Sequence, residues 1–118
     1  MKNLVCIIDD DESVRKSLKR LVVSFGYEVA VFSSARSFLD SISPDTRGCI
    51  ILDLRMPGMD GFALQRKLKE LHYDMPVIFI TAHAMPGDRE YAMNQGAIGF
   101  LHKPFDEGSL IELIEECV

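Results

Sequence analysis

Apolar residues in this chain follow two alternating rhythms. Leu4–Ile8, Cys49–Leu52, Val77–Ile80 and Gly99–Leu101 are short continuous runs of strand length. The segments between them space their apolar residues at helical intervals. Continuous runs of this kind belong to a parallel sheet covered on both faces. The first predicts a strand over about residues 3–8. Val14, Leu18, Leu21, Val22 and Phe25 then make one stripe of a helix over about 12–25, with Gly26 as its left-handed stop. Tyr27 to Phe32 alternates weakly, with Glu28 near its start, as an edge strand does. Ser33 or Ser34 caps a short helix carrying Phe38 and Leu39, closed by the turn Ser43-Pro44-Asp45.

The third strand ends at Asp53, and Pro57 to Gly61 is loop chemistry. Phe62, Leu64, Leu68 and Leu71 mark the inner side of the next helix, His72 its cationic end, and Pro76 opens the fourth strand. Pro86 is placed for the first turn of a helix that Gly96 ends, with a poor stripe of Ala92, Met93 and Ala97. A last helix near 107–117 buries Leu110, Leu113, Ile114 and Cys117. Five strands alternating with five helices predict one doubly wound α/β domain over residues 1–118.

Four of these strands stop at polar residues. The first ends at Asp9-Asp10, the third at Asp53, the fourth at Thr81, and the fifth runs through His102 to Lys103-Pro104. Ligands of open α/β sheets bind outside the carboxyl ends of the strands. Asp9, Asp10 and Asp53 converge if the first and third strands are neighbours, and three close carboxylates repel unless a cation sits among them. Hard oxygen donors in an open site suit Mg2+, with Mn2+ also possible, better than zinc. A carboxylate beside a divalent cation, the Lys103 ammonium and the Thr81 hydroxyl is equipped to take a phosphoryl group. Taken singly, each residue has a plainer role. An aspartate after a strand is commonly a turn or cap, Asp11 and Glu12 suit a helix start, Thr81 suits a cap, and Lys103 a solvated charge. Four strand ends together make coincidence a poor explanation.

The composition, 47% hydrophobic and 26% charged, is that of an ordinary globular domain. A net charge of -5 without a basic stripe argues against direct nucleic-acid binding by this domain. No apolar stretch approaches a membrane span, and Met1-Lys2-Asn3 leads into a strand without a signal-peptide core. Cys6, Cys49 and Cys117 have neither disulfide-framework nor zinc spacing, which points to a reducing cytoplasm. No pair among His72, His83 and His102 has ligand spacing, and His102 is expected half buried. The methionines 56, 59, 75 and 85 read as loop and core packing, and Tyr91 as a surface-helix residue.

The segments Ile8–Asp11, Asp53–Gly61, Ile80–His83 and His102–Phe105 resemble the receiver domains of two-component response regulators. The resemblance covers essentially the whole chain, and four motifs in the right order make it specific. It implies a flavodoxin-like (βα)5 fold with strand order 2-1-3-4-5. It implies that Asp53 accepts phosphate from a sensor histidine kinase or phosphotransfer protein. Asp10 and Asp53 would ligate Mg2+, with Asp9 acting through water and the Arg55 carbonyl completing the protein ligands. Lys103 would pair with Asp53 and then with the phosphoryl oxygens, and its bond to Pro104 would be cis. Thr81 and Phe100 would be the switch residues, and small Ala82 would leave room for the phosphoryl group. Arg55 and His83 would flank the mouth and tune water access.

Arg55 followed by Met-Pro resembles regulators carrying a helix-turn-helix transcriptional output domain. A stand-alone receiver can end at Glu115–Val118, inside a last helical turn, but the apolar terminal valine without a polar tail favours a longer regulator whose output domain lies beyond this chain. A homodimer on phosphorylation is an open possibility of the resemblance. The expected protein is a signalling switch that acts chemically only on its own phosphorylation and slow dephosphorylation. A constitutive interaction module predicts loss of the acidic pair, the acceptor or the lysine, and all are present. A phosphohydrolase like the halo-acid dehalogenases needs a second aspartate two residues after the first, where this chain has Arg55.

Overall fold

The computed structural model describes residues 4–117. Its elements in order are β1 (Leu4–Ile8), α1 (Glu12–Ser24), β2 (Glu28–Phe32), α2 (Ala35–Ser41), β3 (Gly48–Asp53), α3 (Gly61–Glu70), β4 (Val77–Thr81), α4 (Asp88–Asn94), β5 (Gly99–His102) and α5 (Glu107–Cys117). All strand pairings are parallel and the order is β2-β1-β3-β4-β5, with β2 at an edge as its weak alternation suggested. This is the flavodoxin-like arrangement.

Alternation along each strand divides the core. Val5, Ile7, Cys49, Ile51, Ile78 and Ile80 face α1 and α5, meeting Leu18, Val22, Leu110, Ile111 and Ile114. Cys6, Ile8, Ile50, Leu52, Val77 and Phe79 face the other layer, meeting Phe38 of α2, Leu64 and Leu68 of α3, and Ala92 of α4. The continuous apolar runs are therefore needed on both faces. The central strands β1, β3 and β4 bury nearly every residue, edge strand β2 buries none fully, and the helices bury only a stripe.

Helix starts follow side-chain capping. The Asp11 carboxylate accepts from the Ser13 N–H at 2.8 Å, Ser34 Oγ from the Ser37 N–H at 3.1 Å, and Asp60 from the Ala63 N–H at 2.9 Å. Of the two serines offered by the sequence, Ser34 is thus the cap. Helix α4 has no side-chain cap and begins from Gly87 in left-handed backbone, φ 88°. Pro86 precedes that glycine and so belongs to the turn before the helix, not to its first turn.

Helix ends depart most from the expected pattern. Phe25 caps α1 and is 57% exposed, and Leu71 caps α3 and is 40% exposed. In both, the cap stands three residues past the last buried position, Val22 in α1 and Leu68 in α3. His72 follows the α3 cap with φ 63°, taking a left-handed position usually given to glycine. His102, the last residue of β5, is exposed rather than half buried, because it stands at the strand's end beyond the part covered by helices. Cys117 is half-buried against the α5 face of the core. The expected start of β1 at Asn3, and Val118, lie outside the described residues.

Candidate functional site

The register Ile8↔Leu52 places Asp9 and Asp53 at the ends of adjacent strands. Carboxylate oxygens of Asp9, Asp10 and Asp53 lie within 4.8 Å of one another. Asp9 is fully buried and both its oxygens are engaged. Oδ1 accepts from the Asp11 N–H at 2.9 Å and Oδ2 from Lys103 Nζ at 3.0 Å. Arg15 Nη1 donates to the Asp9 carbonyl at 2.8 Å, pinning the turn into α1. Asp10 is exposed at the mouth.

Asp53 is 6% exposed, and its carboxyl is pushed from an ordinary 3.8 up to about 7. Burial is the largest cause and the Asp9 charge the next, with Asp10 adding a smaller push. Lys103 and the Arg55 backbone N–H, which donates to this carboxylate, act in the opposite direction without cancelling the rise. The protein's own positive charge therefore leaves the acidic cluster under-compensated. An all-oxygen donor set in that condition fits a hard divalent cation.

Lys103 departs from expectation in its partner, which is Asp9 rather than Asp53. The Asp9 carboxylate is the more deeply buried, and its second oxygen has no other donor, so the ammonium is best used there. Its field still reaches Asp53. The Lys103 N–H donates to the Thr81 carbonyl at 2.8 Å, and the bond to Pro104 is cis, as expected.

Thr81 is fully buried at the end of β4, where its Oγ1 accepts from the His83 N–H at 3.1 Å. Ala82 and His83 are exposed beside it. Phe100 is 7% exposed and packs inward, its ring centroid 6.2 Å from that of Phe79. Arg55 leaves the other rim and reaches Asp88 Oδ2 at 2.6 Å. The same Asp88 oxygen accepts from the Met85 N–H at 2.8 Å, so one carboxylate joins the loop after β3 to the start of α4.

Sequence reasoning did not single out Asp88, Arg15 or Gly61. Asp88 stands 33 residues from Arg55, and a helix-start acid carries no signal of such a partner. From the sequence, Gly61 reads as loop chemistry. A Cβ there would stand 2.8 Å from the Asp53 carbonyl oxygen and 3.0 Å from Leu54 Cα, so the start of α3 packs directly against the backbone at Asp53.

The response regulator receiver domain family matches residues 5–115 of the chain. Nodulation protein W of Bradyrhizobium diazoefficiens is 42% identical over 113 residues, which cover 96% of this chain and 50% of that protein. Response regulator protein TodT of Pseudomonas putida is 43% identical over 112 residues, covering 95% and 49%. The chain thus spans about half the length of these curated relatives. Among solved structures, response regulator StyR superposes with a TM-score of 0.93 at 44% identity, covering 99% of this chain and 59% of that one. The crystal structure of FixJ-N gives 0.89 at 41% identity, covering 99% and 94%. With a family match over nearly its whole length and an acidic cluster at the strand ends, the chain belongs to the response regulator receiver domain family.

Proposed function

We propose that Asp53 accepts a phosphoryl group from the phosphohistidine of a sensor histidine kinase or phosphotransfer protein, and that this biases the face formed by α4, β5 and α5. The observation that carries the reading is the under-compensated Asp9, Asp10 and Asp53 cluster with Lys103 at its edge. Asp10, Asp53 and the Arg55 carbonyl would hold Mg2+ or Mn2+, with Asp9 acting through water because its own oxygens are engaged. A cation bound there supplies positive charge that offsets the phosphoryl oxygens.

The chain's own groups do the rest. The ionised Asp53 oxygen attacks phosphorus in line, the P–O bond forms, and the P–N bond breaks with its electron pair left on the donor histidine. Lys103, held 3.0 Å from Asp9, then counters charge on the transferred group. The Thr81 hydroxyl exchanges the His83 N–H for a phosphoryl oxygen, and Ala82 leaves the approach open. Arg55 and His83 at the rim govern water access, and hence the slow hydrolysis that resets the switch. Phe100 reports the change to the output face.

A separate output domain, of helix-turn-helix type and acting on transcription, would read that face, directly or through a phosphorylation-driven homodimer. The relative named transcriptional regulatory protein FixJ, 37% identical over 117 residues, supports this choice. The proposed setting is the cytoplasm, with the domain itself binding neither nucleic acid nor membrane. No helix among the described residues is long and apolar enough to cross a bilayer.

The test is incubation with Mg2+ and acetyl phosphate, followed by intact-mass measurement. One acid-stable, base-labile phosphate is expected on the wild type and none on Asp53→Asn or in excess chelator. A wild type that gains no phosphate overturns the reading. Uptake that persists in Asp53→Asn overturns the acceptor assignment.

A further inference from the structure

At the end of the sheet away from Asp53, a cavity of about 320 Å³ opens between α3 and α4. Its walls come from the second half of α3, the turn after it, the start of β4 and the residues that follow α4. Leu68, Met75 and Val77, all buried, form an apolar lining with Ile98 and Tyr73. The Tyr73 hydroxyl is spent on the Ile42 carbonyl, so that residue offers the cavity its ring.

One polar side chain in this wall is only half paired. Gln65 lines the cavity and is 3% exposed. Its Nε2 donates to the Ala92 carbonyl at 3.2 Å. Its Oε1 is the one buried side-chain polar atom among the described residues that has no hydrogen-bond partner. The orientation of the amide is fixed by chemistry. Turned over, it would set its oxygen against the Ala92 carbonyl, which already accepts the Ala97 N–H at 3.1 Å. Native interiors rarely leave such an acceptor unmatched, and a cavity beside it gives a donor somewhere to stand.

The rim restricts what can enter. Lys69 reaches from α3 over Gly96, its Cε and Nζ 3.8 and 3.9 Å from where a Cβ on that glycine would stand. Asp74, in the turn after α3, places an acid on the same mouth. One cation and one anion select no net charge. The volume lies at the small end of ligand pockets, which suits a single ring.

We propose that this cavity binds a small neutral ring compound bearing one hydroxyl or N–H group. The donor pairs with Gln65 Oε1, and the ring packs on Leu68, Met75 and Ile98. The bound molecule bridges α3 and the end of α4. It thereby adds apolar contact to a helix that itself buries Ala92 alone. Binding needs neither Asp53 nor a cation, so it stands independently of the function proposed above.

The test is titration of isotope-labelled protein with phenol, followed by nuclear magnetic resonance, against anisole as the ring without a donor. Phenol should move the side-chain amide signals of Gln65 and the backbone signals of Leu68, Met75, Gly96 and Ile98 on one saturable curve. Anisole should bind roughly two- to tenfold more weakly, the range of one hydrogen bond. Gln65→Leu should abolish that preference. Should the variant fail to fold, the phenol–anisole comparison on the wild type carries the test. At saturating phenol, amide exchange across 88–97 should slow. No saturable shift, which would leave water as the only partner of Gln65, would overturn the proposal. So would shifts centred away from the cavity, or anisole binding as tightly as phenol. Unchanged exchange across 88–97 would overturn the bridging of α3 to α4.

Discussion

Neutralising Asp53 stabilises the metal-free fold, by an amount that grows with pH. The Asp53 carboxyl sits at about 7 in the folded chain against an ordinary 3.8. The folded state therefore holds its proton more tightly than the unfolded state does. Sites of this sign stabilise fully below the unfolded value, lose that stability as pH rises through the folded value, and are flat above it. At about 1.36 kcal/mol per pH unit, the penalty in the wild type reaches on the order of 4 kcal/mol by about pH 8. At about pH 5 only roughly 1.5 kcal/mol of it has accumulated. Asn has no proton to lose and escapes the whole of it, so Asp53→Asn should exceed the wild type by those amounts.

The assay is urea unfolding of both proteins in excess chelator at the two pH values. With a slope of about 2 kcal/mol per molar urea, the variant's midpoint should lie about 2 M higher at about pH 8 and under about 1 M higher at about pH 5. Mg2+ should raise the wild-type midpoint more than the variant's and narrow the gap, because a ligand stabilises the state that binds it. Equal midpoints in chelator, or a gap that shrinks as pH rises, would refute the argument that burial and the Asp9 charge leave Asp53 under-compensated.

Gly61→Ala should cost at least about 2 kcal/mol in urea unfolding and slow phosphate uptake, since its Cβ meets Asp53 and Leu54 backbone that no rotamer change relieves. A loss below about 0.5 kcal/mol would show that α3 is free to move off the acceptor. His72→Gly should gain up to about 1 kcal/mol in the same assay by releasing a non-glycine residue from φ 63°, and a loss would contradict that assignment. Arg55→Ala should change global stability by less than about 1 kcal/mol, because the Arg55 side chain is 41% exposed. It should nevertheless speed amide hydrogen exchange across 85–94, and unchanged exchange there would show that the Asp88 contact does not hold α4.

The strands and the acidic cluster were legible in the sequence for a common reason. A strand buried on both faces must be apolar throughout, so the first polar residue marks the edge where a ligand can sit. Asp9, Asp53 and Thr81 are read directly this way, and Lys103 one step past its strand. Pairings among those residues were not legible. Lys103 chooses Asp9 because of burial and an open acceptor oxygen, quantities that depend on the folded neighbourhood. Helix ends failed for a local reason. Phe25 and Leu71 continue the apolar stripe by spacing, but each sits at a cap where the backbone has already turned outward. Pro86 satisfied the rule for a first helical turn, and only the left-handed Gly87 shows that the helix starts later.

The weak stripe of α4 has a structural counterpart that bears on switching. The helix buries Ala92 alone among its residues, so apolar burial holds it only lightly. Its attachments are mostly polar and exposed. Asp88 meets Arg55, Arg89 Nη1 donates to the Phe100 carbonyl at 3.1 Å, and the Tyr91 hydroxyl meets Arg66 at 3.3 Å. One tie is buried, from Gln65 Nε2 to the Ala92 carbonyl at 3.2 Å, and it leaves Gln65 Oε1 without a protein partner. A helix held by one ion pair, a few side-chain hydrogen bonds and the Phe62–Tyr91 ring contact is displaced at modest cost, since each such tie contributes on the order of 1 kcal/mol. An element packed by several large side chains would resist by several times as much. Two of the ties, at Arg55 and at Phe100, end on residues assigned to the site and its switch. On the proposed function, a charge arriving on Asp53 would compete for Arg55 in the loop after β3 and so would act on α4, a helix that buries Ala92 alone. The low apolar content of α4 would then permit its motion, and its polar contacts would determine which event can cause it.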